Sequence, residues 1–167
     1  MNENKLEIEF NFSIEEAVIV GKELTKRSNR MVKYAPYIGF AFLGYLGYYW
    51  IISGHYPASN YIPLIFGLLL ISIPLLTIFA TKKNFKKNPL ANKKYQYKFD
   101  NNNIEVKIGS IESKLNWNNI IKVEKVKKGY LMFTQPRSAY WIPKSSMSRS
   151  SELLFEEFIK NNKVKFK

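Results

Sequence analysis

The chain has 167 residues and carries 26 lysines and arginines against 13 aspartates and glutamates, which gives a net charge of +13. It contains no cysteine, so disulfides, thiol catalysis and thiolate metal sites are excluded. The whole excess of positive charge falls after residue 81, since residues 1–33 hold six basic and six acidic residues and residues 34–81 hold none of either.

The first predicted elements are a strand and a helix, within residues 1–33. Apolar and polar residues alternate from Leu6 to Phe12, which is the period-two pattern of a half-buried strand. Ser13 stands three residues before Glu16, the spacing of a capping box, and predicts a helix from Ile14 to about Arg30. This helix is expected to lead directly into the apolar segment that follows.

Two apolar segments without any Asp, Glu, Lys or Arg follow at residues 35–52 and 62–80, joined by a nine-residue link that also lacks Lys and Arg. A helix needs about 20 apolar residues to cross about 30 Å of hydrocarbon. Neither segment shows the polar stripe of an ordinary core helix. We therefore predict a transmembrane hairpin at residues 34–81, with helices at 34–52 and 62–80. Two core helices of a soluble protein are the alternative.

The charges that flank the apolar segments predict the orientation of the hairpin. Lys and Arg collect on cytoplasmic flanks, and basic residues crowd both outer ends of the hairpin but not the link. We expect a multi-pass protein of the inner or plasma membrane with both termini cytoplasmic and His55 outside. Because no charge lies inside either segment, the hairpin is expected to act as an anchor rather than an ion path.

Small residues and a proline mark the predicted hairpin. Gly39, Gly44 and Gly47 could allow close approach of the second helix, or they could simply be tolerated in a membrane helix. Pro74 is internal to the second segment and is expected to bend it.

Residues 82–167 predict a β-rich domain that ends in a helix. Alternating apolar residues indicate short antiparallel strands at 95–99, 104–108, 110–115, 121–127, 130–134 and 139–142. Serines near residue 148 offer an N-cap for a helix with one apolar stripe. An isolated strand is not stable, so the N-terminal strand is expected to pair with this sheet, which makes the hairpin an insertion into one discontinuous domain.

Several short segments that follow the two apolar segments match the motifs of a known family. They are Tyr95 to Asp100, Leu115 to Ile120, Val123-Glu124, Gly129-Tyr130-Leu131 and Trp141 to Lys144. In order and spacing they resemble the YcxB-like family of bacterial membrane proteins. The resemblance implies a cytoplasmic domain similar to pleckstrin-homology-like (PH-like) modules, and it carries no catalytic residues to transfer. The residues that mark its structural motif are Trp117, Gly129, Trp141 and Pro143.

These observations define the expected fold class. It is an α+β membrane protein in which a two-helix transmembrane hairpin is inserted into a cytoplasmic antiparallel β, PH-like domain with a C-terminal helix. Trp117 and Trp141 are expected to pack in the core of that domain, although binding aromatics are the alternative.

The sequence does not predict an enzyme. It has one His and one Asp, and it lacks both a Gly-rich phosphate loop and a metal-ligand cluster, so no catalytic residue, metal or cofactor is predicted. A basic domain at a membrane is instead expected to contact anionic headgroups, or simply to present a solvated face. The lysines expected to make this contact are Lys82, Lys83, Lys86, Lys87, Lys122, Lys125, Lys127 and Lys128.

The leading functional hypothesis is a non-enzymatic membrane protein whose basic domain binds anionic lipid or a membrane-protein partner. The alternative is a regulatory, assembly or immunity-like subunit of a membrane complex. Lys and aromatic residues interleave at 95–99, as on a nucleic-acid platform, but no nucleic acid is predicted. A homo-oligomer is compatible with the sequence.

Overall fold

The computed structural model describes residues 5–28, 30–54, 61–136 and 138–167, with only the backbone given for residues 28, 30 and 31. The chain divides into two compact units. The strand unit combines Met1–Glu16 with Lys87–Lys167, and the helical unit is Ala17–Lys86. The outside position predicted for His55 concerns a residue that lies outside the described ranges.

Three helices span the middle of the chain: α1 (Ile14–Ser28), α2 (Arg30–Ser53) and α3 (Tyr61–Lys87). The predicted capping box begins α1, where the Ser13 amide donates to Glu16 Oε2 at 3.1 Å and the Glu16 amide donates to Ser13 Oγ at 3.3 Å. Acidic residues occupy the first turn of α1 and basic residues its last turn, as the helix dipole favours.

The first sheet contains four antiparallel strands in the order β1 (Leu6–Asn11), β2 (Lys94–Phe99), β3 (Asn103–Ile108) and β4 (Ile111–Asn116). The N-terminal strand pairs with β2, with Ile8 opposite Tyr97, so its predicted pairing with the C-terminal sheet is confirmed. The two neighbouring strands are thus separated in sequence by all three helices.

The second sheet is formed by β5 (Lys122–Val126), β6 (Gly129–Gln135) and β7 (Ser138–Pro143), and α4 (Arg149–Asn161) follows it. Ser148 caps α4 by accepting a hydrogen bond from the Ser151 amide. Residues 165–167 run parallel to β5, where the Val123 amide donates to the Lys165 carbonyl at 2.8 Å.

One core joins both sheets and α4. Phe155, Phe158 and Ile159 of α4 pack against inward-facing residues of both sheets, and all three are almost fully buried. Antiparallel sheets followed by a C-terminal helix confirm the α+β class. The strand residues with the least exposure in this core are Ile8, Tyr97, Phe99, Ile104, Val123, Tyr130, Met132 and Ile142.

Candidate membrane-contacting surfaces

Helix α3 has the length and composition of a membrane span. It is the one helix among the described residues that meets both requirements, with a mean hydropathy of 2.5 over its most apolar window. Only 6% of that window is buried, whereas the core helix of a soluble protein would be mostly buried. Its outward apolar side chains therefore have no protein cover within the described chain.

Helix α2 exposes similar side chains but does not meet the same requirement. Its mean hydropathy is lowered by five tyrosines and several glycines. Even so, Phe40, Tyr45 and Ile51 are 62, 66 and 81% exposed. One candidate membrane helix is therefore present among the described residues, and the predicted two-helix hairpin is not confirmed.

Helices α2 and α3 approach closely at one pair of glycines. A Cβ atom added to Gly39 would lie 2.7 Å from the Gly67 carbonyl oxygen, so no side chain fits there without a shift of the backbone. Gly44 and Gly47 would meet nothing within 4 Å. Of the three glycines noted in the sequence, Gly39 thus serves helix packing, while the other two face open space.

The α3 lysine cluster (Lys82, Lys83, Lys86 and Lys87) occupies the last turns of α3, beyond its apolar part. All four side chains are exposed. They make no ion pair with the described residues, so their charges are available to an anionic surface.

The four lysines predicted on and after β5 fall into two pairs. Lys122 Nζ lies 2.7 Å from Glu124 Oε1 and 4.4 Å from the centroid of the Phe133 ring. Lys125 is also paired with carboxylates, as described below for α4. Lys127 and Lys128, in the turn before β6, are exposed and form no ion pair with the described residues. Only this second pair offers uncompensated charge.

A charged cluster that the sequence did not indicate fastens α4 to the second sheet. We call it the α4 clamp, and it comprises Tyr130, Lys125, Lys144, Glu152 and Glu156. Tyr130 Oη lies 2.5 Å from Glu152 Oε1 and 2.6 Å from Glu156 Oε1. Lys125 Nζ lies 3.1 and 2.7 Å from the same two oxygens, and Lys144 Nζ lies 3.3 Å from Glu152 Oε1.

The α4 clamp shifts the pKa of each acidic partner. Hydrogen bonds from Tyr130 and then Lys125 lower the pKa of Glu152 from 4.5 to about 2. The Lys125 ammonium, followed by Tyr130, lowers the pKa of Glu156. Burial, reinforced by both carboxylates, raises the pKa of Tyr130 well above its ordinary value. The phenol therefore stays protonated and acts as a hydrogen-bond donor rather than as an acid.

The outer face of the first sheet is covered by cross-strand ion pairs. Lys98 Nζ lies 2.8 Å from Glu7 Oε1, Lys94 Nζ lies 2.6 Å from Glu9 Oε2, and Lys107 pairs with Glu112. Lysines and glutamates alternate across the strands, so this face carries little net charge. It is a solvated surface rather than an anion-binding one.

The predicted motif residues have packing roles. Trp117 is 2% exposed, and its indole Nε1 donates to the Asp100 carbonyl at 2.8 Å. Trp141 is 4% exposed and lies against Gly129, where an added Cβ would come within 2.5 Å of the indole ring. Pro143 ends β7 opposite Gly129. Trp117 belongs to the core that joins both sheets and α4, as expected, whereas Trp141 is buried but is not among the residues of that core.

No group of three His, Cys, Asp or Glu side chains that could hold a metal occurs within the described ranges. The strand residues Glu105 and Glu112 face solvent and pair with lysines of the neighbouring strand.

Comparison with known proteins identified a family model. No curated protein and no solved structure matches the chain significantly. A family model described as "YcxB-like protein" matches residues 99–160, which extend from the last residue of β2 nearly to the end of α4. Over this segment the chain carries a YcxB-like domain, in agreement with the resemblance noted from its short motifs.

Proposed function

We propose that this protein is a non-enzymatic membrane protein that crosses the bilayer twice, through α2 and α3, and holds a basic domain at the cytoplasmic surface. The observation that carries the proposal is the uncovered apolar surface of α3. Only 6% of the most apolar 18-residue stretch of this helix is buried. Burying such a surface in lipid removes it from water, which is the dominant favourable term for membrane insertion.

The pairing of β1 with β2 supports an even number of crossings. These strands precede and follow the three helices, and they form one antiparallel ladder from Leu6 opposite Phe99 to Asn11 opposite Lys94. A single crossing would leave β1 and β2 on opposite sides of the membrane, where they could not pair. If α3 crosses the membrane, the pairing of β1 with β2 favours a second crossing by α2.

The basic flanks favour the cytoplasm as the common side. The α3 lysine cluster follows the apolar part of α3 directly, and the link at residues 53–61 contains no Lys or Arg. The order of four and then three antiparallel strands followed by a helix is also the arrangement expected of a PH-like module. In this proposal the membrane hairpin occupies the connection between the first two strands of that module.

Anionic lipid is the proposed ligand of the basic surface. The lysines free to act are the α3 lysine cluster with Lys127 and Lys128, because Lys122 and Lys125 are held by glutamates. Each lysine near a negatively charged leaflet contributes about 1 kcal/mol of attraction. A membrane-protein partner that carries acidic residues is the alternative ligand.

Cysteine labelling tests the topology, because the natural chain contains no cysteine. Single substitutions Lys5→Cys, Ser59→Cys and Lys167→Cys are exposed to a membrane-impermeant maleimide on intact cells. We expect Ser59→Cys to react and the two terminal variants to react only after lysis. Labelling of exactly one terminus on intact cells would refute the hairpin, and recovery of the chain in the soluble fraction would refute membrane insertion.

Lipid contact is tested with the full chain in nanodiscs that contain neutral lipid alone or neutral lipid with phosphatidylglycerol. A fluorophore at Asn101→Cys reports energy transfer to a headgroup dye. We expect the efficiency of energy transfer to differ between the two disc types. This difference should disappear at high salt and in a variant with Lys127→Gln and Lys128→Gln. Identical transfer in both discs would contradict lipid contact and favour the protein partner.

A further inference from the structure

A groove opens in the helical unit where α1, α2 and α3 meet, with a volume of about 470 Å³. This lies within the range of small-molecule pockets, about 300–1,000 Å³. Its walls come from all three helices, so it exists only in the packed unit. The residues that determine its chemistry are Lys22, Lys26, Lys33, Pro36, Pro74 and Thr77.

One part of the groove is basic. Lys22 and Lys33 are exposed and make no ion pair with the described residues, whereas Lys26 Nζ lies 3.3 Å from Glu23 Oε1. No acidic side chain lines the groove. Two lysines from different helices thus face one opening with uncompensated charge, which is an arrangement suited to a phosphate group.

The other part of the groove is apolar and adjoins the proposed bilayer. Pro36 is the second residue of the charge-free segment at 35–52, and Pro74 and Thr77 lie in the last two turns of the segment at 62–80. The hydroxyl of Thr77 is already used, since it donates to the Ile73 carbonyl at 2.9 Å. The groove therefore runs from lysines to an apolar floor at the depth where headgroups meet acyl chains.

We propose that this groove binds one molecule of an anionic phospholipid, with its phosphate between Lys22 and Lys33 and its glycerol and upper acyl chain against Pro36 and Pro74. The site rests on the proposed function, because it needs α2 and α3 to cross the membrane. It differs from the surface contact of the α3 lysine cluster in being stoichiometric and in using other residues. A free phosphate would leave the apolar floor unused, so the lipid is the assigned occupant.

Native mass spectrometry of the full chain in mild detergent tests the site, with phosphatidylglycerol and phosphatidylcholine as probes. We expect one retained phosphatidylglycerol and no retained phosphatidylcholine. The double variant Lys22→Gln with Lys33→Gln should weaken retention about twenty-five-fold, which is the product of about fivefold for each lysine. A control that removes the same charge at and just after the C-terminal end of α4, Lys160→Gln with Lys163→Gln, should retain the lipid as the natural chain does.

A second variant separates the lipid from a free phosphate. Thr77→Trp fills the apolar part of the groove and keeps every lysine, so it should abolish lipid retention while the far-ultraviolet circular dichroism stays unchanged. Displacement of the lipid by millimolar inorganic phosphate, or equal retention in Thr77→Trp, would overturn the assignment of a lipid.

The outcomes for the groove and for the proposed function are distinguishable. A chain that passes the maleimide topology test but retains no phosphatidylglycerol, or loses it equally in the α4 control, refutes the groove site and leaves the proposed function intact. A chain found in the soluble fraction refutes both.

Discussion

The α4 clamp gives the most direct test of the strand unit. Replacing Tyr130 by Phe keeps the ring and removes a buried hydroxyl that lies 2.5 and 2.6 Å from two carboxylate oxygens. Hydrogen bonds to charged groups contribute about 1.5–3 kcal/mol. Because Lys125 still holds both carboxylates, we expect the lower end, a loss of about 1.5–2 kcal/mol in the free energy of unfolding.

The same substitution at Tyr97 is the matched control. Tyr97 is equally buried, but its hydroxyl has no hydrogen-bond partner among the described residues. Removal of an unpaired buried hydroxyl relieves a desolvation cost rather than breaking a bond. We therefore expect Tyr97→Phe to be neutral or stabilising, which is opposite in sign to Tyr130→Phe.

The pH dependence of the Tyr130→Phe effect follows from Glu152. Its pKa is lowered from 4.5 to about 2, first by the Tyr130 hydrogen bond. A lowered carboxyl pKa adds stability that is complete above about pH 4.5 and is lost as the pH falls towards 2. The difference in stability between the natural chain and Tyr130→Phe should therefore be largest above pH 5 and narrow towards pH 2.

The assay is urea unfolding of the full chain in detergent, followed by tryptophan fluorescence. A Trp50→Phe background leaves Trp117 and Trp141, both in the strand unit, as reporters. If Tyr130→Phe and Tyr97→Phe change the midpoint equally at pH 7, or if the Tyr130→Phe effect does not shrink in acid, the account of the clamp is wrong.

The remaining predictions concern packing. Gly129→Ala should cost about 1–3 kcal/mol by the same assay, because the new Cβ meets the Trp141 ring at 2.5 Å; an unchanged midpoint would contradict that contact. Ile8→Ala, at a residue 1% exposed, should cost about 2–5 kcal/mol, and no loss would mean that β1 is not part of the core. Gly39→Val should lower the thermal stability of the helical unit in detergent while Gly47→Val does not, since only Gly39 faces a neighbouring backbone; equal effects would refute the glycine contact.

The sequence predicted the secondary-structure elements better than it predicted the contacts between side chains of different elements. Every strand predicted from alternating apolar residues begins and ends within one or two residues of a strand in the structure. Sequence reasoning works here because the period-two pattern of burial is a local property of the chain. The Ser13–Glu16 capping box was correct for the same reason. The α4 clamp was missed, since Lys125 and Glu156 lie 31 residues apart and meet only when α4 packs on the second sheet.

The predicted lysine surface shows the same limit. Lys122 and Lys125 read as exposed charges in a basic strand, yet each lies within 3 Å of a carboxylate oxygen. A run of lysines in the sequence predicts a basic surface only for those lysines that form no ion pair in the folded protein. Lys127 and Lys128 keep their charge available because they lie in a turn, where no strand or helix of the described residues presents a glutamate to them.

The three helices inserted between β1 and β2 lower the stability of the strand unit only slightly. Pairing of Asn11 with Lys94 closes a loop over all three helices, but closure entropy grows only with the logarithm of length, about 0.6 kcal/mol for each doubling. Four doublings beyond a short hairpin loop therefore cost about 2.4 kcal/mol. Burial of Leu6 and Ile8 contributes about 1.5–3 kcal/mol each. The proposed membrane hairpin would lower the closure cost further, because it would return the chain to the side of the membrane that it left before β2 forms.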